Sequence, residues 1–228
     1  MKNQTKKPKN EQLSTAALIG RITSGFRRVY YRARESFGAH KRDIVVYRVE
    51  EARDELEDAR TQFVSALDKF TSVTCYDGSD LADLYRQLKR ELENSEARAK
   101  AVSNRINAVE EVANALFGEW QAELDEYASR NLRSTSRQQL KQTHQHYNRL
   151  IKAMHRAESK ILPVLSAFKD QVLFLKHNLN AQAIASLHHD LRLIGMDIAA
   201  LINAMEKSIF EANAFVNCLG EQKALPRN

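Results

Sequence analysis

Apolar residues recur at alternating steps of four and three through four successive stretches of this chain. That period commits each stretch to a helix whose apolar stripe must meet another helix. The first stretch carries Val45, Val49, Ala52, Leu56, Ala59, Phe63, Ala66, Phe70 and Val73 without a missed step. The second runs through Leu81, Tyr85, Leu88, Leu92, Ser95, Ala99, Val102, Ile106, Val109, Ala113, Leu116 and Trp120. In the third the same phase selects Leu140, His144, Tyr147, Ile151, Met154, Glu158, Ile161, Leu165, Phe168, Val172 and Leu175. The fourth selects Ile184, Leu187, Leu191, Ile194, Ile198, Leu201, Met205, Ser208, Ala212 and Phe215.

Between these stretches lie helix stops and starts. Gly78 can take the left-handed conformation that ends a helix, and Asp80 with Asp83 can cap the next one. Ser134 or Thr135 is placed to open the third helix and Asn180 the fourth, and Gly220 and Pro226 follow the last seam residue. The predicted helices therefore cover about residues 40–75, 80–130, 134–177 and 180–219, with a bend in the third at residues 159–163, where Pro163 removes an amide donor. Short connections between long helices make neighbours antiparallel. The expected fold is all-α: an elongated antiparallel four-helix bundle or coiled coil over residues 39–220, with an extra N-terminal amphipathic helix over 13–38. Residues 1–12 are expected to be a disordered basic tail and 221–228 a flexible one.

Charge is distributed unevenly. Residues 1–48 hold 12 Lys or Arg against 3 acids, and the remaining 180 hold 23 against 26. Lys2, Lys6, Lys7 and Lys9 belong to the tail. In the next segment Leu18, Ile22, Phe26 and Val29 share one helical sector, flanked by Arg21, Arg28 and Arg32, with Arg27 and Arg34 opposite. An apolar stripe bordered by arginines can lie in a lipid interface and attract anionic headgroups, or it can cap the end of the bundle. A second basic run begins the third helix. Its Arg133, Arg137 and Lys141 are expected to be neutralised across the turn by Glu119, Glu123 and Glu126, and Lys152 by Glu111.

Several chemistries find no support. None of the seven histidines stands four residues from another, and no Glu is followed three residues later by His, the pairing that di-metal bundles use. His144 falls on the third seam, where a hydrogen-bonded core histidine is the ordinary outcome, and a slight helix rotation would let Ala157 take the place of Glu158. Gly20 and Gly25 are spaced as in a phosphate-binding loop, yet Phe26-Arg27 follows where Lys-Ser or Lys-Thr is required. Cys75 and Cys218 fall at opposite ends of the bundle, too far apart to bridge within one chain. No apolar run reaches the roughly 20 residues needed to span a bilayer, and residues 16–19 are too short for a signal-peptide core.

Three stretches carry a family resemblance: HKRDI at 40–44 with RVE at 48–50, ALF at 115–117 with Glu119 and Trp120, and DQVLFLKHNLN at 170–180. Through them the chain resembles an uncharacterised bacterial family, the domain of unknown function 2959, over roughly residues 30–215. The resemblance brings no assigned activity and no catalytic residues. It implies a secretion or lipid-attachment signal ending before a Tyr-Tyr pair like Tyr30 and Tyr31. This chain has the basic amphipathic segment there instead.

Together these features point to a non-enzymatic helical scaffold or interaction protein, without cofactor or small-molecule substrate. It is expected in the cytoplasm, peripheral at the inner membrane through an anionic surface, and able to form homo-oligomers through heptad faces. The competing expectation is a nucleic-acid-associated helical protein using the same basic arm, whose binding would collapse with salt.

Overall fold

The computed structural model describes residues 41–72, 81–178 and 181–224. The chain divides into two units between residues 43 and 44, and nearly all of the described residues belong to the larger, Ile44–Asn228. The helices are α1 (Lys41–Ser72), α2 (Leu81–Glu123), α3 (Arg130–His177) and α4 (Ala181–Ala224), with a single 3₁₀ turn at Leu124–Glu126. There is no strand among the described residues. At 1.5 Å per residue the helices are about 48 to 72 Å long.

Contacts between the helices give their directions. Going up α1, Glu51, Glu55 and Gln62 meet Arg105, Arg98 and Glu91 going down α2, so the pair is antiparallel. Arg53 and Arg60 of α1 reach Asn213 and Glu206 of α4 in the same sense. His155 of α3 meets Glu110 of α2, and Tyr147 of α3 lies against Phe215 of α4. The result is the expected up-down-up-down bundle, an all-α fold.

Every described seam position of α1, from Val45 to Phe70, is buried, and Ile44 joins them. The α4 seam from Leu191 to Phe215 is buried throughout and extends to Leu219. In α2 Leu84 is buried rather than Tyr85, and Ala99 is half-buried. Phe168 of α3 stacks on Phe70 of α1 at 4.2 Å between ring centroids, with Phe63 on its other side at 6.5 Å. These rings supply much of the apolar area that holds this part of the bundle together.

The third seam differs from the expected one. Thr143, Leu150, Ala157 and Val164 are buried in place of His144, Ile151, Glu158 and Leu165, and His144 is exposed. Leu140, Tyr147, Met154, Ile161 and Phe168 keep their places. The inward set is smaller and lacks a charge, which lets α3 approach both α2 and α4. Thr143 satisfies its hydroxyl within the helix by donating to the Gln139 carbonyl at 2.9 Å.

Three helix ends also differ. The Ser129 hydroxyl accepts from the Leu132 amide and the Ser129 carbonyl from the Arg133 amide, so α3 opens at Arg130, four residues before Ser134. That in turn ends α2 at Glu123. α4 passes through Gly220 to Ala224, since one glycine lowers helix propensity by only about 1 kcal/mol. α3 continues across Pro163, which is exposed.

Candidate functional site

The residues singled out from sequence, Lys6, Lys7, Lys9, Leu18, Arg21, Ile22, Phe26, Arg27, Arg28, Val29, Arg32 and Arg34, lie outside the described residues, as does Cys75. Cys218 is half-buried near the end of α4 and forms no disulfide with a described residue. The candidate features of the described unit are therefore its polar contacts between helices, its exposed apolar side chains and one groove.

Ion pairs line the α1–α2 seam. The Glu51 carboxylate receives Arg48 and Arg105, and Arg98 bridges Glu55 at 3.0 Å and Asp58 at 3.1 Å. Burial raises the Glu51 pKa, but hydrogen bonds from Arg48 and Tyr47 and the charge of Arg105 outweigh it and hold the carboxyl below its usual range. These pairs sit beside Ala52, Ala59 and Ser95, which are buried, and they fix register rather than build a pocket.

One titratable cluster bridges α2 and α3. His155 places Nε2 at 3.0 Å from Glu110 and Nδ1 at 3.1 Å from Glu158. The Glu110 hydrogen bond, opposed by desolvation and supported by Glu158, raises the imidazole pKa above its ordinary value. A histidine held between two carboxylates stores a proton at the surface. Among the described residues no group of three or more His, Cys, Asp or Glu is arranged to hold a metal ion.

The groove lies between α2 and α3 near their connecting turn, with a volume of about 600 Å³. Phe117 and Leu140, both nearly buried, make its apolar lining. Arg137, Lys141 and His144 stand along it at successive turns of α3, with Gln121 and Gln145 at its edges. The His144 ring meets Phe117 edge-on at 4.8 Å, and its Nδ1 lies 3.0 Å from Asn148 Nδ2. Beneath the groove Trp120 Nε1 donates to Ser136 Oγ at 2.9 Å, a buried bond between the same two helices.

The expected neutralisation of this basic stretch is not made by the described residues. Arg133 donates instead to the carbonyls of Asp125 and Tyr127, and Arg137, Lys141 and Lys152 pair with no carboxylate among the described residues. Charge counting along the chain does not see which way each side chain faces. A local signal existed: residues 127–157 hold seven Lys or Arg and no acid, and Arg137, Lys141 and His144 follow the i, i+4, i+7 spacing of one helix face.

Large apolar side chains also remain outside the core. Met196 is 71% exposed, Leu162 70% and Phe210 68%, and Leu193 is exposed as well. On α4 they join Ala200 and Ala214 in a second stripe, Leu193, Met196, Ala200, Asn203, Lys207, Phe210 and Ala214, stepping three and four on a face away from the buried seam. No helix among the described residues is long and apolar enough to cross a membrane. A family model described as Protein of unknown function (DUF2959) matches residues 30–219. No curated protein matches the chain.

Proposed function

The chain belongs to the family described as Protein of unknown function (DUF2959), and from that premise we propose that it works as a non-enzymatic helical scaffold attached to an anionic membrane surface. The observation that carries the scaffold role is the second, outward stripe of α4. A helix that served only the bundle core would gain nothing from Met196 and Phe210 at about 70% exposure, and large apolar side chains held in water along one helix face mark a contact surface. The homo-oligomer reading rests on the same stripe, whose heptad spacing suits another helix. Attachment is assigned to residues 13–37, with Leu18, Ile22, Phe26 and Val29 in the interface and Arg21, Arg28 and Arg32 on headgroups, reinforced by Lys6, Lys7 and Lys9.

Sedimentation with liposomes tests the attachment. The full chain should pellet with vesicles containing phosphatidylglycerol and not with neutral ones, and L18S/I22S/F26S should abolish this. Failure of the native chain to sediment with anionic vesicles at low salt would remove the membrane half of the reading. The second reading is a nucleic-acid arm formed by the same cations. It predicts binding to DNA or RNA that falls steeply with salt and is unaffected by L18S/I22S/F26S.

A further inference from the structure

We propose that the α2–α3 groove is a binding site for a small amphiphilic anion, one carboxylate or phosphate held by Arg137 and Lys141 with its apolar body laid on Phe117 and Leu140. The two cations are exposed, stand one helical turn apart and are not engaged by any carboxylate of the described residues. Nothing among the groove's lining residues carries negative charge. A volume of about 600 Å³ falls in the range of about 300 to 1,000 Å³ usual for small-molecule sites. Arginine and lysine side by side offer a planar fork and a point charge, the combination that holds a headgroup, and the His144 imidazole stands in the same lining.

Gly118 supports the same assignment. It lies inside α2, where glycine is unfavourable, and an added Cβ there would meet nothing within 4 Å. Neither a positive φ nor a close neighbour calls for glycine at this position. Gly118 is one of the groove's lining residues, so a large side chain there would fill part of it. The inference is independent of the N-terminal attachment, because every residue it uses is in α2 or α3.

The test uses the full chain, whose only tryptophan, Trp120, is bonded to Ser136 next to Arg137 and reports on the site. Decyl phosphate below its micelle concentration is titrated by calorimetry and by Trp120 fluorescence, beside inorganic phosphate and decyl maltoside. Decyl phosphate should bind one to one and change the emission, and both controls should bind at least about tenfold more weakly, since each lacks half of the recognised chemistry. R137Q/K141Q should weaken binding by about tenfold or more, and G118L should block it while circular dichroism and Tm stay near native values. Equal binding of decyl maltoside, or undiminished binding in either variant, would overturn the proposal.

A last arm distinguishes the sources of such an anion. In the L18S/I22S/F26S chain, displacement of decyl phosphate by phosphatidylglycerol vesicles assigns the site to a lipid headgroup. Retention of decyl phosphate assigns it to a free metabolite of the same chemistry.

Discussion

His155 gives the surface of this bundle a pH response whose direction follows from its partners. Its folded pKa is raised, chiefly by the hydrogen bond to Glu110 and then by Glu158, so the folded state binds the proton more tightly than the unfolded chain. That stabilisation is fully present below the ordinary histidine pKa of about 6.5 and is lost as pH rises through the higher folded value. The side chain is 46% exposed, so solvent screening keeps the contribution under about 1 kcal/mol. H155Q should therefore lower Tm by roughly a degree at pH 5.5 and by almost nothing at pH 9; equal loss at both values would mean that packing, not charge, is at stake. Ser208 makes the opposite case. Its hydroxyl is wholly buried with no hydrogen-bond partner, and burying such a group costs roughly 1 to 3 kcal/mol. S208A, which also restores the best helix former, should raise stability by about 1 kcal/mol in urea unfolding, and a loss would show that the hydroxyl has a partner in solution.

At the scale of the helix, the seam of α1 can be read from sequence because it has one apolar face with mostly polar residues beside it, and that of α4 because its outer stripe is interrupted by Asn203 and Lys207 while its inner one is not interrupted by a charge. α3 cannot, because it is apolar on two adjacent faces. Leu150 with Ile151 and Val164 with Leu165 fit either phase, so the four-three rule alone does not choose between them. The choice falls to Thr143 over His144 and Ala157 over Glu158, where only one of each pair can enter a dry interface cheaply. Helix ends are harder still, since Ser129, Ser134 and Thr135 have similar capping chemistry and the winner is set by where Trp120 meets Ser136 across the turn. The groove is hidden from sequence for a related reason: its residues come from two helices, and the decisive fact, that Arg137 and Lys141 lack carboxylate partners among the described residues, is a matter of facing. Phe168 is where the packing of α1 and α3 concentrates, between Phe70 and Phe63. F168A should cost about 3 to 5 kcal/mol of unfolding free energy, while L162A, on the exposed side of the same helix, should change it by less than about 0.5 kcal/mol.

For the molecule as a whole, the question is whether four helices complete the hydrophobic surface or leave some for a second copy. The inner seams close a core in which Phe63, Phe168 and Phe215 are fully buried. The outer stripe of α4 is a separate matter. Met196 and Phe210 each stand seven residues from Asn203, so a two-fold antiparallel contact centred on Asn203 sets Met196 of one copy against Phe210 of the other and pairs the two asparagine amides at the axis. Lys207 then lies opposite Ala199, where its stem can cover the small side chain while the ammonium reaches water. This self-complementarity predicts a dimer whose strength depends on both large side chains and little on salt. Sedimentation velocity over a concentration series should show reversible dimerisation of the native chain, and M196K/F210K should give a monomer of unchanged helicity. A native chain that stays monomeric at the highest attainable concentration would assign the stripe to a different protein or to the membrane. In that case F210K should instead reduce liposome binding beyond what L18S/I22S/F26S removes.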